Sequence, residues 1–456
     1  MDLRRYLAQV PDYDRFLTVD EMHAGLDRLA AEYPEITTLR RVGTSTLGEP
    51  IRMLSVGNGS RHALLFGCPH PNEPIGGMLI HYFSEQICQN SALRDAYDFT
   101  WHFIPTVDPD GTRLNEGWFK GPFTPTNYAR HFYRPAGFEQ VEWTFPISYK
   151  KLYFDKTLPE TEMLMRVIDE LKPALMASLH NAGFSGVYYY VSGGDQELFD
   201  LFHQIPAWED LPLQLGEAEV PWAQPLAPAV FPMLETSAGY DHIEANGGDP
   251  AAEFGGTSSF EYSRPYGTFS IVTEVAYFDD PRINDETPTD VNRRQANLDR
   301  LDLSLESRKI MSGFVEAVDD DLKADTPFET TVRWWLDLEK RQDAERTWIE
   351  SNPDMDRPAT VAELFSNRVM PQFYRLCWQG LIVRMLQAEI ATGHGTPAIR
   401  QTLMEATETF ERWGAQLESE LNFRTVPIRK LVAVQLGAIL GVAEYLDRHQ
   451  NPPLPA

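Results

Sequence analysis

The sequence predicts an α/β protein, a mixed sheet flanked by helices, followed by an all-helical C-terminal domain. Two observations carry this expectation. Short apolar runs alternate with helical stretches over the first 320 residues, as in a sheet covered on both faces. Beyond residue 320 the strand-like runs stop and four long helical patterns follow. A chain of 456 residues, 43% hydrophobic and 12% aromatic, is long enough for two domains and too apolar for disorder. The expected division is 1–320 and 321–456.

Taken in order, residues 18–33 read as an amphipathic helix. Thr18 and Glu21 suit a capping box, and Met22, Leu26, Leu29 and Ala30 recur at helical spacing. Strands are expected at 63–67, 99–106, 174–179, 187–191 and 269–273, with helices at 75–89 and 160–171 between them. The later helical patterns cover 327–350, 359–392, 397–421 and 425–449. They are separated by Asn352-Pro353, Gly393-His394-Gly395 and Pro427. They read as a bundle, with Trp334, Trp335, Phe373, Tyr374 and Trp378 at core spacing. The bundle is expected to act as a packing buttress or homo-oligomer surface; the alternative is a lid or docking surface for a carrier or precursor peptide. A proline-rich end, 451–456, closes the chain.

The net charge of -27, from 67 acidic against 40 basic residues, argues against nucleic acid and anionic lipid as partners. Three scattered cysteines, Cys68, Cys88 and Cys377, form neither a disulfide framework nor a metal clip. The opening Met1-Asp-Leu-Arg-Arg-Tyr lacks the apolar core of a secretion signal. The apolar stretch 431–446 is too short to span a bilayer and carries Gln435 and Glu444. A cytoplasmic protein without membrane contact is the expectation.

The chemistry concentrates at strand ends. The run Leu64-Leu-Phe-Gly-Cys-Pro-His-Pro-Asn-Glu ends a buried strand in a turn carrying His70 and, three positions on, Glu73. An imidazole and a carboxylate at that spacing can converge on one Zn²⁺ ion. A second apolar strand ends at His180, where open α/β sheets bind ligands. Together these make a two-His, one-Glu set with a fourth position open, which is the pattern of catalytic zinc. A third strand runs into Glu274, and a carboxylate so placed needs a reason to be there. It caps a helix, pairs with an arginine, or takes a proton from water.

His-x-x-Glu, a long gap, then His and Glu at two further strand ends: in this order the chain resembles the M14 zinc carboxypeptidases. Val42-Gly-Thr-Ser-Thr-Leu-Gly-Glu-Pro-Ile, Asp108-Pro-Asp-Gly and Gly256-Thr-Ser-Ser-Phe-Glu-Tyr resemble further family segments. The resemblance implies a zinc carboxypeptidase-like sheet, zinc held by His70, Glu73 and His180, and Glu274 as general base. It implies that Arg113 polarises the scissile carbonyl and Arg130 grips a substrate carboxylate. The family has asparagine where this chain has Ala129, and Asn127 is the candidate substitute. Tyr262 and Tyr266 are the candidates for its substrate-capping tyrosine. The helices after residue 320 fall outside the resemblance.

What the resemblance implies is a metalloprotease with one Zn²⁺ per chain. It would hydrolyse the amide bond next to a C-terminal carboxylate, with zinc-bound water activated by Glu274. The alternative is a zinc deacylase or amidohydrolase acting on N-acyl amino acids or a modified peptide. Either substrate carries a free carboxylate. An inactive binding module is disfavoured, since a dead site has no need of three ligands and a base.

Overall fold

The computed structural model describes residues 2–337 and 342–449. The first long helix, Val19–Glu32, begins where the sequence places it. Thr18 Oγ1 accepts from the Glu21 amide, and the Glu21 carboxylate accepts from the Thr18 amide, a complete capping box.

Eight strands form one sheet in the order Thr37–Thr44, Pro50–Val56, Phe99–Ile104, Arg61–Gly67, Leu175–Leu179, Phe269–Glu274, Tyr188–Val191 and Val230–Pro232. The central four, from Phe99–Ile104 to Phe269–Glu274, are parallel, so their carboxyl ends share one edge. Tyr188–Val191 runs antiparallel to Phe269–Glu274, and the first two strands are antiparallel as well. The sheet is therefore mixed. Central strands are buried on both faces: Ala63 and Leu65 point into one core, Leu64 and Phe66 into the other. Helix Pro159–Leu171 supplies Met163, Leu164, Val167 and Ile168 to the second core. Helix Ile75–Gln89 covers the opposite face.

The C-terminal patterns fold largely as helices, with boundaries set by proline. The pattern at 359–392 divides into Val361–Arg368 and Met370–Ala391, because Pro371 in the first turn of the second helix has no amide hydrogen to continue the first. Pattern 425–449 becomes Ile428–Arg448, starting after Pro427. Pattern 397–421 becomes Pro397–Glu420. Pattern 327–350 appears as Pro327–Asp337 and Gln342–Ser351, with 338–341 outside the described residues; so is the proline-rich end, 451–456. Two short strands break the helical run. Pro358–Thr360 pairs with Pro288–Asn292, and Arg424–Thr425 pairs with Ala276–Asp279.

These helices share a hydrophobic core with one face of the sheet. Helix Ile428–Arg448 lies against Ile75–Gln89, Gln196–Trp208 and the strands Leu175–Leu179 and Phe269–Glu274. Helix Met370–Ala391 lies on Pro125–His131, where a Cβ at Gly380 would run into the Ala129 carbonyl oxygen. The last strand of the sheet in sequence ends at Glu274 and helix Arg293–Glu316 already precedes residue 320, so packing continues across that position. Among the described residues no helix is long and apolar enough to cross a membrane.

Candidate metal centre

Three strand ends build the site. Strand Arg61–Gly67 stops at Cys68, whose φ of 49° is left-handed, a strain of about 1 kcal/mol for a residue with a Cβ. That bend turns the chain so that His70 and Glu73 come back over the strand ends, before helix Ile75–Gln89 begins. His180 directly follows strand Leu175–Leu179, and Glu274 is the last residue of Phe269–Glu274. The register placing Ser178 beside Val272 sets the two ends next to each other.

The donor atoms of His70, Glu73 and His180 lie within 4.8 Å of one another, and all three residues are buried. The imidazole rings meet at 4.8 Å and 64°. Burial, then the charges of Arg134 and His180, hold the His70 imidazole well below its ordinary pKa, so it is neutral, the form that binds metal. Its Nδ1 is buried without a hydrogen-bond partner. Beneath His180, Ser178 Oγ donates to Glu142 Oε2 at 3.2 Å and lies 2.9 Å from His180 Nε2. Because that hydroxyl proton goes to a carboxylate, Nε2 carries the imidazole proton and Nδ1 keeps its lone pair. Nδ1 then faces Glu73 Oε2 at 3.1 Å. Two acceptors that close need a proton or a cation between them. The orphaned nitrogen, the facing acceptors and the donor chemistry fit a zinc ion.

Glu274 Oε1 is 4.0 Å from His180 Nδ1, and Oε2 is buried without a partner. Burial, with Glu73 and Glu219 adding to it, pushes this carboxyl well above the usual range, while Arg134 works against the shift. Glu142, buried under His180, is likewise raised by burial, against the pull of His180 and hydrogen bonds from Ser259 and Ser178.

These groups open into a cavity of about 290 Å³. Arg134 is the one lysine or arginine among the described residues lining it, and its Nη1 donates to Glu73 Oε1 at 3.2 Å. Glu219 lies in the same cavity, accepting from the hydroxyls of Tyr188 and Tyr190 at 2.7 and 2.8 Å. Trp143 also lines it, and Tyr374 and Trp378 reach the wall from helix Met370–Ala391.

Five residues expected at the site from the resemblance lie elsewhere. Arg113 points away from the sheet edge and donates to Glu49 and Asp20 at 2.8 and 2.7 Å. Arg130 makes a forked pair with Glu411 at 2.8 and 3.1 Å over the Phe410 ring, because the C-terminal helices cover its own helix. Asn127 is bound into its local turn, donating to the Pro122 carbonyl at 2.9 Å. Tyr262 packs on Phe145 and donates to Asp169 at 3.0 Å, and Tyr266 donates to the same carboxylate. Arg134, and not Arg130, lines the cavity. One signal marked it: Pro135 forces an extended residue before it, so Arg134 must leave the helix that holds Arg130.

Comparison with known proteins agrees with this geometry. Residues 22–267 match the family model for zinc carboxypeptidase, Peptidase_M14. The chain belongs to this family. His70, Glu73 and His180 lie inside the matched segment, and Glu274 lies beyond it. Carboxypeptidase B of Astacus astacus is 31% identical over 105 residues, covering 22% of this chain and 35% of that protein. Zinc carboxypeptidase A 1 of Anopheles gambiae is 30% identical over 128 residues, covering 25% of this chain and 29% of that protein. The matches thus span about a third of these relatives. The solved carboxypeptidase A of Helicoverpa armigera aligns over 77% of this chain and 79% of its own at 14% identity, with a TM-score of 0.37.

Proposed function

We propose that the protein is a zinc-dependent metallocarboxypeptidase. The observation that carries this reading is the convergence of three buried metal donors and Glu274 in one cavity whose single cation among the described residues is Arg134. His70, Glu73 and His180 would hold the ion. Zinc there supplies a Lewis acid that polarises a carbonyl and acidifies water. Glu274, raised by burial, accepts the water proton and returns it to the departing amine. Arg134 offers a planar fork of donors to the terminal carboxylate and fixes the last residue of the substrate. Glu219, held by two tyrosine hydroxyls, favours a substrate end with a basic side chain.

The test pairs metal analysis with two peptides. Purified protein should contain close to one zinc per chain, and should cleave a peptide ending in a free carboxylate but not its C-terminal amide. Protein that takes up no zinc when supplied with it sinks the reading. Equal cleavage of acid and amide removes the carboxypeptidase assignment. A second reading keeps the chemistry and shortens the substrate. Tyr374 and Trp378 wall the cavity that Arg134 also lines, and such a wall would favour a short substrate such as an N-acyl amino acid. Faster turnover of acyl amino acids than of peptides would select this second reading.

A further inference from the structure

We propose that Gln435, on the C-terminal helix Ile428–Arg448, is a positioning residue for the metal centre, resting on the zinc reading above. Its carboxamide Nε2 donates to the carbonyl oxygen of His180 at 2.6 Å and to that of Thr273 at 3.3 Å. One side chain therefore ties the backbone of a metal donor to the residue just before the candidate base.

Gln435 is completely buried, in a helix whose residues from Leu431 to Ala443 are otherwise apolar. A carboxamide is costly in such surroundings unless it is hydrogen-bonded; the nitrogen has two backbone partners, while Oε1 is buried without one, so the side chain is retained at a cost. Both partners are acceptors, so the amide nitrogen must face them; a flipped amide would set oxygen against oxygen. The place of contact matters as much as its strength. Strands Leu175–Leu179 and Phe269–Glu274 pair in parallel up to Ser178 and Val272, the last rung of their ladder. His180 and Thr273 lie just past that rung. Gln435 bridges the two chains in the gap between that rung and the point where pairing resumes, with the Ala182 amide donating to the Val275 carbonyl at 2.8 Å, and so sets the separation of the His180 ring from the Glu274 carboxylate.

The helix is itself held in place. A Cβ at Gly437 would stand 2.8 Å from Leu7 Cδ1, and one at Gly441 would stand 2.7 Å from Leu201 Cδ2, so the backbone is pressed against its neighbours. None of this helix lies in the segment matched to the zinc carboxypeptidase model.

The test uses full-length protein carrying Gln435→Met, which keeps length and loses the donors, and Gln435→Asn, which keeps an amide too short to reach both carbonyls. Val442→Ala, buried on the same helix, is the control for lost packing. Three properties are measured: the rate of zinc release to a chelator, the visible spectrum of the cobalt-substituted protein, and kcat against KM. Outer partners of metal ligands are typically worth tenfold to a hundredfold in metal affinity, and Gln435→Met should release zinc about tenfold faster. Its cobalt bands should shift, and kcat should fall more than KM rises. Val442→Ala should lower Tm and leave zinc release and the cobalt spectrum as in the wild type. Should Gln435→Met fail to fold, Gln435→Asn carries the test, with smaller shifts in the same direction. A folded Gln435 variant with wild-type zinc release and cobalt spectrum overturns the inference and leaves the zinc reading standing. A wild type without zinc overturns both.

Discussion

The floor and the walls of the cavity come from different kinds of structure. His70, Glu73, His180 and Glu274 sit at or just past the ends of neighbouring parallel strands. Arg134 and Glu219 come from irregular segments, and Tyr374 and Trp378 from a helix beyond the family match. Strand ends are held by ladders on both sides, so the floor is pre-organised for one metal geometry. The walls depend on how separate segments pack. On the proposed function, chemistry would reside in the floor and substrate choice in the walls, and substitutions in the two should fail differently.

The largest effect is expected in the floor. Glu274→Gln keeps the shape and removes the proton acceptor; kcat should drop by about 10³ or more with zinc still bound. His180→Ala should instead lose most of the zinc. An active Glu274→Gln protein would place the base elsewhere and break the division between floor and wall.

In the wall, Arg134→Ala should abolish most of the preference for a free carboxylate over an amide. Hydrogen bonds to charged groups contribute about 2 kcal/mol, a factor of roughly 30 in kcat/KM. Since Arg134 also touches Glu73, zinc content has to be measured on the same sample. Loss of zinc with discrimination intact would reassign Arg134 to the floor. Glu219→Gln should cost about tenfold in kcat/KM for peptides ending in a basic residue and little for those ending in an apolar one. A uniform loss across both peptides would make Glu219 a structural partner of Tyr188 and Tyr190.

The same contrast explains what the sequence disclosed. An apolar run that ends in a histidine or glutamate is visible without knowing the fold, since the strand fixes where its last side chain lies. His180 and Glu274 were legible for that reason, and His70 with Glu73 through their spacing. Glu142 was not, because it reaches His180 only through Ser178, a contact between segments 36 residues apart, and Ser178, two residues before His180, shows no role until that partner is in place. Arg130 and Arg134 are four residues apart, Arg130 on helix Pro125–His131 and Arg134 beyond its end. Arg130 is held away from the cavity by Glu411 and Phe410 on helix Pro397–Glu420, and that packing leaves no local motif. Tyr262 stood near the expected place in sequence, yet its helix, Ser259–Ser263, turns it towards Asp169 on Pro159–Leu171. The late helices read as a bundle because amphipathic spacing shows that a helix is buried without showing against what. Gln435 in an apolar stretch was the trace of that partner.

The smallest expected effect belongs to Arg130→Ala, and it tests the placement of the wall most directly. Arg130 makes its forked pair with Glu411 at the surface, where the two side chains are 40% and 51% exposed. Its guanidinium lies 4.8 Å from the Phe410 ring centre. An exposed pair of this kind, with a ring beneath it, contributes about 1 kcal/mol, because water and salt screen the charges. In a protein of this size that corresponds to a Tm lower by about 2 °C. The loss should shrink at high ionic strength, leaving only the ring contact. Zinc content, kcat and the ratio of acid to amide cleavage should match the wild type, since nothing in the cavity touches Arg130. A variant that keeps its Tm and loses discrimination would mean that the carboxylate is read at the surface of helix Pro125–His131, outside the cavity. The wall built from Arg134 and Glu219 would then have no part in choosing the substrate.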